Sequence, residues 1–229
     1  MTDVVLAATD GLRTRNKLEK LRRIKDAAQN LFVAKGFDDA TMREIALRAG
    51  VGLGTIFLYA KNKRDLLFLT INEPLQNVTQ QAEDAVDPRA SLIDNLLSVA
   101  KPHYRFFGQQ PALARLALRE MIFYDSGAQA ASFQKTRERL IRLFGRTIEL
   151  AIANKEIAPR EPPLFAGWTL FCIFQVELRR WLANDVTNLR AGLSELERAL
   201  GLLIAGFGIC ADQPARKRAR NGRERKTVV

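Results

Sequence analysis

The sequence is poor in the residues that build disulfides and metal sites. It holds two cysteines, Cys172 and Cys210, and one histidine, His103. Two cysteines give no disulfide framework and suit a reducing compartment, and a single histidine without a Cys-x-x-Cys pair argues against structural zinc. No apolar run is long enough to cross a bilayer, and residues 1–12 lack the basic segment of a signal peptide. We therefore expect a cytoplasmic protein without a metal or another cofactor.

Positive charge is concentrated at the two ends of the chain. Residues 1–70 hold 13 Lys and Arg against 8 Asp and Glu, and residues 213–229 hold 7 against 1, whereas residues 71–212 hold 16 of each. This distribution predicts a polyanionic partner for the N-terminal part. A membrane surface is a poorer candidate, because no long amphipathic helix has a lysine-rich face.

Apolar residues recur at helical spacing, without strand alternation or internal repeats, and this predicts an all-α protein. A first helix over about 15–35 is expected to stop at Gly36. A helix that begins near Arg64 is expected to kink or end at Pro74. Further helices are predicted over 88–107, 111–124, 128–154, 162–183 and 194–211, the last with a capping box at Ser194 and Glu197.

The segment from Thr41 to Tyr59 carries the most specific pattern. Thr41 and Glu44 have the spacing of a capping box, which predicts the start of a helix, and Gly50 suits the reversal that follows. A second short helix after this turn completes a helix-turn-helix, an architecture that inserts into the major groove of DNA. An ordinary helical hairpin in an all-α core is the alternative, but the basic flanks favour DNA binding.

Around this motif, the chain resembles the N-terminal domain of the TetR family of bacterial transcriptional regulators. The resemblance runs from Arg22 to about Leu67 and rests on four segments: Ile24-x-x-Ala27-Ala28-x-x-Leu31-Phe32-x-x-Lys35-Gly36-Phe37, Thr41-x-x-Glu44-Ile45-Ala46-x-x-Ala49-Gly50-Val51, Gly54-Thr55-Ile56-Phe57-x-Tyr59 and Lys61-Asn62-Lys63-x-x-Leu66-Leu67. Family members are dimers, usually repressors, that release DNA when a small molecule enters a helical pocket. The resemblance therefore implies a homodimer, a double-stranded DNA operator and a small-molecule effector.

Four regions follow from this interpretation. We expect a disordered N-terminal arm (1–14), a helix-turn-helix DNA-binding domain (15–63), a helical ligand-binding and dimerisation domain (64–212) and a basic disordered tail (213–229). The tail either adds nonspecific phosphate contacts or only makes the chain more soluble.

Two groups of residues are candidate DNA contacts. Because matching positions contact DNA in relatives, base readout is assigned to Arg43, Leu53, Gly54 and Thr55. Phosphate contacts, which set register without reading sequence, are assigned to Thr41, Tyr59, Lys61 and Lys63. For Arg43 and Lys61 the alternative is a solvated surface charge. The chain departs from the family's usual residues at Gly52, Phe57 and Ala60, and its apolar reading face favours contacts with thymine methyl groups.

The segment 164–174 is apolar nearly all round, which predicts burial on more than one side. In the family, the two C-terminal helices form a four-helix dimer interface, and the resemblance implies the same here. The candidate dimerisation residues are Phe174, Leu196, Leu200, Leu203 and Phe207. A monomer with a thick core is the alternative, although paired DNA half-sites need two helix-turn-helix units, one from each copy of the chain.

Aromatic and soft residues gather in the middle helices, either as plain core or as the wall of an apolar cavity with a few polar anchors. The candidate ligand residues are His103, Phe106, Phe107, Met121, Tyr124, Trp168, Phe171, Cys172 and Gln175. Their aromatic character predicts a small, largely apolar effector, for example an aromatic compound.

Two other functions compete with a ligand-responsive repressor. A helical-bundle enzyme is the weaker one, because the sequence shows no nucleophile–base set, phosphate loop or metal cluster. A nonspecific DNA-compacting protein would share the basic ends, and sequence preference in a binding assay would separate the two.

Overall fold

Every regular element in the described part of the chain is an α-helix. The computed structural model describes the backbone of residues 2–184 and 186–208 and the side chains of residues 14–184 and 186–206. The helices are, in chain order, α1 (Thr2–Lys35), α2 (Met42–Ala49), α3 (Leu53–Phe57), α4 (Lys63–Asp84), α5 (Leu92–Gln109), α6 (Pro111–Glu120), α7 (Ala130–Ala153), α8 (Pro163–Leu182) and α9 (Leu189–Gly208). The predicted all-α class is confirmed for these residues. Within these ranges no helix combines the length and the apolar character that crossing a bilayer requires.

The predicted helix-turn-helix forms from local interactions. Thr41 is the N-cap of α2: its Oγ1 accepts from the N–H of Glu44 (3.2 Å), and Glu44 Oε2 accepts from the N–H of Thr41 (3.0 Å). Gly50 then adopts φ 63°, and its N–H closes onto the last turn of α2. That left-handed conformation is costly for a residue with a Cβ. Ile45 of α2 and Ile56 of α3 are fully buried and lie in one core with α1.

The apolar core is divided into two clusters that meet along α4. The N-terminal cluster gathers residues of α1 to α3 and the first turns of α4, up to Leu67, and it also includes Leu113 of α6. The larger cluster begins with Phe68 and takes in side chains from α4 to α9. The boundary between the two core clusters therefore lies four residues after the domain boundary predicted at residue 63, and α4 crosses it as one continuous helix.

In the larger cluster, α7 and α8 cross in backbone contact. A Cβ on Gly167 would overlap the backbone of Gly145 and Phe144, so the crossing requires glycine at this point. Leu170 and Leu178, further along α8 from the contact, are fully buried. This crossing holds together the two helices that supply much of the wall of the main cavity.

Two helices of the N-terminal half extend further than predicted. Helix α1 begins at Thr2 rather than near residue 15, so residues 2–14, predicted as a separate arm, are continuous with this helix; the stretch includes Leu6, Ala7 and Ala8, which are strong helix formers. Helix α4 continues through Pro74 to Asp84, so the alternative that it ends at the proline is excluded, and a kink there stays a prediction. The missing N–H bond at proline is compensated there by burial of residues on the next two turns.

Two boundaries in the C-terminal half also differ. Helix α9 begins at Leu189, where Asn188 Oδ1 accepts from the N–H of Ala191 (3.0 Å), so the predicted capping box at Ser194 is wrong and Ser194 lies inside the helix. Helix α6 ends at Glu120 rather than at residue 124, and residues 121–129 form an irregular connection to α7. The predicted tail, 213–229, lies outside the described residues.

Candidate DNA-binding surface and ligand cavity

The start of α3 is accessible in the helix-turn-helix and the residues that follow it, 41–61, which we call the reading head. Gly54 is exposed, and nothing lies within 4 Å of the position a Cβ would occupy; Thr55 is half-exposed beside it. Arg43 on α2 is exposed and forms no hydrogen bond or ion pair with any described residue. Leu53 differs from expectation, because its half-buried side chain packs against the N-terminal core. The large exposed apolar side chains of this unit are instead Leu47, Phe57 and Leu58.

The candidate phosphate contacts divide into available and occupied groups. Lys61 is exposed and its ammonium has no partner among the described residues. Tyr59 packs partly against the N-terminal core, and its hydroxyl has no hydrogen-bond partner within the described ranges. Thr41 is exposed, but its hydroxyl is engaged with Glu44 in the capping box. Hydrogen bonds from Lys35 and Thr41, together with the positive charge of Lys35, lower the pKa of the Glu44 carboxyl to about 2.

Lys63 is half-buried and its ammonium is engaged within the protein, so its predicted phosphate contact stays a prediction that would require these bonds to open. Its Nζ donates to the backbone carbonyls of Phe37 (2.8 Å) and Asp38 (2.7 Å). The same ammonium lies 5.1 Å from the centre of the Phe37 ring. Lys63 therefore ties the start of α4 to the loop before α2, a contact between residues distant in sequence that no local motif predicts.

A cavity of about 300 Å³ lies in the helical body. Seven of the predicted ligand residues line it: His103, Phe107, Met121, Trp168, Phe171, Cys172 and Gln175. Most of the remaining wall is also apolar and comes from α4, α7 and α8. A cavity with this lining suits a largely apolar molecule with a few fixed polar contacts.

His103 is an almost completely buried titratable group in the cavity wall. Its Nδ1 donates to the carbonyl of Val99 (3.0 Å), which leaves Nε2 as an acceptor, 3.4 Å from Thr79 Oγ1. Burial, opposed only in part by the Val99 hydrogen bond, lowers the pKa of the imidazole to about 4. At neutral pH the cavity therefore presents an uncharged hydrogen-bond acceptor at this point.

Two cationic residues of the cavity, Arg137 and Arg179, were missed by the sequence analysis. Helical spacing could have identified both arginines as cavity residues. Arg137 follows Phe133 by four residues on α7, and Arg179 follows Gln175 by four residues on α8. A cation at such a spacing lies on the same helix face as residues that line the cavity.

Two predicted ligand residues lie elsewhere. Phe106 borders a second cavity of about 70 Å³ between α1, α4, α5 and α6, because it sits one position away from the face of α5 that carries His103 and Phe107. Tyr124 is fully buried; its hydroxyl donates to Asp65, and its ring stacks on Phe68 with 3.7 Å between centroids. Tyr124 is thus part of the packing between α4 and the irregular connection after α6.

The predicted dimerisation residues mostly face the protein's own core. Phe174, Leu196 and Leu200 are almost completely buried, and Leu203 packs partly against the same cluster. The side chain of Phe207 lies outside the described residues. An apolar stripe marks the buried face of a helix, but it does not tell whether the same chain or a second copy packs against that face. For this reason, the sequence wrongly assigned the buried residues of this stripe to the dimer interface. Among the described residues of α8 and α9, the large exposed apolar side chains are Leu164, Phe165, Trp168, Val176 and Leu202.

The connection between α6 and α7, residues 121–129, joins the cavity to the DNA-binding unit. At its start, Met121 and Ile122 line the cavity. At its end, Gln129 Nε2 donates to the carbonyl of Tyr59 (3.1 Å). We call residues 121–129 the bridging segment.

Asp65, in the first turn of α4, is the fixed point that the bridging segment contacts. Besides the hydroxyl of Tyr124, the carboxylate accepts from the backbone N–H of Ala128 (3.1 Å) and of Lys61 (3.0 Å). Burial raises the pKa of this carboxyl, but the hydrogen bonds outweigh burial and bring it below the ordinary value. Gly127 passes so close that a Cβ there would overlap Asp65 Oδ1. One buried anion therefore binds both the bridging segment and the end of the reading head.

Comparison with known proteins agrees with this geometry. The profile described as "Bacterial regulatory proteins, tetR family" matches residues 24–69, which cover α2, α3 and the N-terminal core. A fatty acid metabolism regulator protein of Bacillus subtilis is 29% identical over 196 residues, which are 84% of this chain and 98% of the relative. The HTH-type transcriptional repressor KstR of Rhodococcus jostii is 26% identical, over 82% of this chain and 88% of its own.

Solved structures show the same fold. The regulator FadR of Bacillus subtilis, crystallised with stearoyl-CoA, superposes with a TM-score of 0.65 at 22% identity, covering 81% of this chain and 98% of its own. The repressor FadR of Thermus thermophilus, crystallised with lauroyl-CoA, gives a TM-score of 0.62 at 22% identity, with 85% and 98% covered. The helix-turn-helix, the helical body and these relatives lead to one conclusion: the chain belongs to the TetR family of bacterial transcriptional regulators.

Proposed function

We propose that this protein is a transcriptional repressor that binds a palindromic operator as a homodimer and releases it when a largely apolar effector fills the cavity. The observation that carries the proposal is the bridging segment, which forms cavity wall at Met121 and Ile122 and holds the reading head through Asp65 and Tyr59. A regulator needs such a connection, whereas a DNA-compacting protein does not. We place its action in the cytoplasm, where an operator is accessible.

The proposed DNA contacts are those that the structure leaves available. Arg43, Gly54 and Thr55 lie at or near the accessible face of α2 and α3 and are assigned to the major groove. Lys61 and the hydroxyl of Tyr59 are assigned to phosphates. Thr41 and Leu53 contribute by holding the two helices in place, Thr41 through the capping box and Leu53 through core packing.

The proposed dimer interface is the outward face of α8 and α9. Phe165, Trp168 and Val176 form an exposed apolar stripe on α8. On α9, Gly201, Leu202, Ala205 and Gly206 are exposed, and small residues of this kind let two helices approach closely. A twofold pairing through these helices would place two reading heads side by side, as half-sites about 34–36 Å apart require.

The proposed effector is a molecule with an extended apolar part. The cavity wall mixes aliphatic and aromatic side chains, which accommodates an acyl chain as well as an aromatic ring system. Two relatives of this fold were crystallised with stearoyl-CoA and with lauroyl-CoA, so long-chain acyl compounds are the first candidates. Phenolic and other aromatic compounds are the second.

Release is proposed to work through displacement of the bridging segment. A ligand that requires Met121 and Ile122 in a new position also changes the positions of Tyr124 and Ala128, which bind Asp65. The start of α4 then moves relative to the body, and the spacing of the two reading heads no longer fits the operator. The ligand can shift this equilibrium only by its difference in affinity for the two conformations.

The test begins with selection of operator sequences from random duplexes by the full-length protein. Fluorescence anisotropy then measures operator affinity with and without lauroyl-CoA, stearoyl-CoA and a set of phenolic compounds. The proposal predicts a near-palindromic sequence and at least one compound that lowers affinity by about tenfold, a coupling of about 1.4 kcal/mol. Equal binding of the selected and scrambled duplexes at physiological salt would contradict it. Chemical conversion of the compound by the protein would favour an enzyme instead.

A further inference from the structure

The cavity contains two guanidinium groups and no acid. Arg137 of α7 and Arg179 of α8 both line it, and none of the other described residues in its wall is Asp or Glu. The acidic residues nearest to them in sequence are engaged elsewhere: Glu138 pairs with Arg142 (3.6 Å), and Glu177 pairs with Arg180 (2.7 Å). The positive charge of the cavity is therefore not balanced by the protein around it.

Arg179 is a partly desolvated cation with neutral partners. Its Nη1 donates to the carbonyl and to Oε1 of Gln175, both at 2.8 Å, and its Nη2 donates to the carbonyl of Leu118 (3.2 Å). Burial, and then the positive charge of Arg137, lower the pKa of this guanidinium. Two like charges near each other in an apolar surrounding raise the free energy of the empty cavity.

Arg137 has its donors available. It is half-buried and forms no hydrogen bond or ion pair with any described residue, although it is close enough to act electrostatically on Arg179 and on Cys172. A guanidinium offers a planar fork of N–H groups that matches a carboxylate or a phosphate. An ester, an alcohol or a hydrocarbon offers no comparable match to this fork of N–H groups.

We propose that Arg137 and Arg179 form an anion-binding subsite of the cavity, which selects effectors that carry a carboxylate or a phosphate next to an apolar chain. The anion would neutralise the repulsion between the two arginines, and the chain would lie against Phe107, Phe171 and their neighbours. This inference rests on the proposed function only in taking the cavity as the effector site. It adds a requirement for negative charge that neither the apolar lining nor the fold implies.

Two sources of the anion are compatible with the subsite. A free fatty acid carries a carboxylate at the end of its chain, whereas an acyl-CoA carries phosphates beyond a thioester. The probes are therefore laurate, lauroyl-CoA, and the neutral compounds lauryl alcohol and methyl laurate, which share one chain length. Preference for laurate assigns the carboxylate source, and preference for lauroyl-CoA alone assigns the phosphate source.

Binding is measured on the DNA-free, full-length protein by calorimetry and by the fluorescence of Trp168, which lines the cavity. The other of the two tryptophans, Trp181, is almost completely buried against Tyr104, so a Trp168→Phe variant identifies the signal from the cavity. At least one anionic probe should bind about tenfold more tightly than both neutral probes, as a charge-assisted hydrogen bond requires.

Variants separate the subsite from general electrostatics. Arg137→Gln should remove the preference for the anion without unfolding the protein, because this side chain has no internal partner, and Arg137→Lys should restore part of it. Arg146→Gln, an exposed position on the same helix, should leave the preference unchanged. Arg179 is the less suitable position, since its hydrogen bonds to Leu118 and Gln175 stabilise the fold.

Two results would overturn the inference. One is binding of lauryl alcohol or methyl laurate as tightly as the best anionic probe. The other is an unchanged preference in Arg137→Gln. Neither result depends on DNA, so failure of the subsite is distinguishable from failure of the repressor proposal, which the operator titration tests separately.

Discussion

Individual side chains in this protein have roles that their chemical type alone does not define. Lys61 and Lys63 are two positions apart and carry the same ammonium group, yet Lys61 is exposed without a partner among the described residues and Lys63 donates to two backbone carbonyls. Tyr104 and Tyr124 are both fully buried, yet only Tyr124 has a partner for its hydroxyl. Each pair provides a comparison in which one member serves as control for the other.

The lysine pair separates DNA contact from folding. Lys61→Ala should weaken binding to all duplexes and reduce the slope of log affinity against log salt by about 1, because one phosphate contact is lost. Lys63→Ala should instead lower the free energy of unfolding by about 1 kcal/mol, through the loss of its carbonyl hydrogen bonds. Salt-dependent anisotropy and urea unfolding measure the two effects. An altered salt slope in Lys63→Ala, with unchanged stability, would contradict these assignments.

The only histidine of the chain gives a direct pH test. Native His103 has a pKa of about 4, below the ordinary value of 6.5. Between these values the unfolded chain binds a proton that the native state does not, so the free energy of unfolding falls as pH decreases. This contribution is complete above the unfolded pKa, and about 2 kcal/mol of it should be lost from about pH 7 to about pH 5.

NMR of the single imidazole checks this expectation without a mutation. Its shifts should remain those of the neutral ring until the pH falls well below 6.5. Urea unfolding of His103→Gln provides the second measurement, since the stability difference from the unmodified protein should narrow as the pH falls. An imidazole that titrates at its ordinary pKa in the folded protein would show that His103 is not buried as described.

At the scale of elements, the bridging segment is an irregular part of the body and carries the proposed coupling. It contacts Asp65 through Tyr124 and Ala128, and Gln129 donates to the carbonyl of Tyr59. Periodicity predicted that a helix continued to residue 124, because apolar residues extend to that point. Hydrogen bonds to α4 and to the end of the reading head, more than 50 residues earlier in the chain, determine its actual conformation.

Tyr124→Phe tests whether this contact transmits the signal. The variant keeps the ring that stacks on Phe68 but loses the hydroxyl that donates to Asp65. We expect a loss of stability of about 1–3 kcal/mol and a smaller effect of ligand on operator affinity, with ligand affinity for the free protein little changed. Anisotropy and calorimetry measure these quantities.

Tyr104→Phe is the matched control for this variant. It removes a buried hydroxyl that has no partner among the described residues, so stability should be unchanged or higher. The coupling between ligand and operator should also stay as it is. Equal release of the operator in Tyr124→Phe and in the unmodified protein would show that the signal takes another route.

The success of sequence analysis differed between elements for a physical reason. The capping box of α2 and the turn at Gly50 depend on residues close in sequence, and both were predicted. Seven cavity residues were predicted because bulky apolar side chains on helices gather in the middle of a bundle. Leu196 and Leu200 were assigned to the wrong contact, since periodicity shows that a face is covered but not by which chain.

At the scale of the whole molecule, the outward face of α8 and α9 determines the proposed dimer. Phe165→Glu or Leu202→Glu should produce monomers and abolish operator binding, because these side chains are 57% and 80% exposed in the single chain and would be buried between two copies. Sedimentation velocity measures the change. Val33→Glu, which places a charge on an exposed apolar position of α1, should leave the dimer intact.

Substitution in the buried stripe should have a different result. Leu200→Ala removes a fully buried side chain and should lower the free energy of unfolding by about 2–5 kcal/mol, without selectively dissociating folded dimers. A dimer that survives both exposed-face variants but dissociates in Leu200→Ala would instead support the original sequence prediction, in which Leu200 lies in the dimer interface.

The central claim is that the cavity and the operator surface are coupled, and reciprocity is its most direct test. The dissociation constant of lauroyl-CoA or laurate, whichever binds more tightly, is measured for the free dimer and for the operator-bound dimer, and the operator's constant is measured with and without that ligand. If the two sites are coupled, operator binding lowers the affinity for the ligand, and ligand binding lowers the affinity for the operator, by the same factor of about tenfold or more. A ligand that binds the free and operator-bound dimers equally well would contradict it.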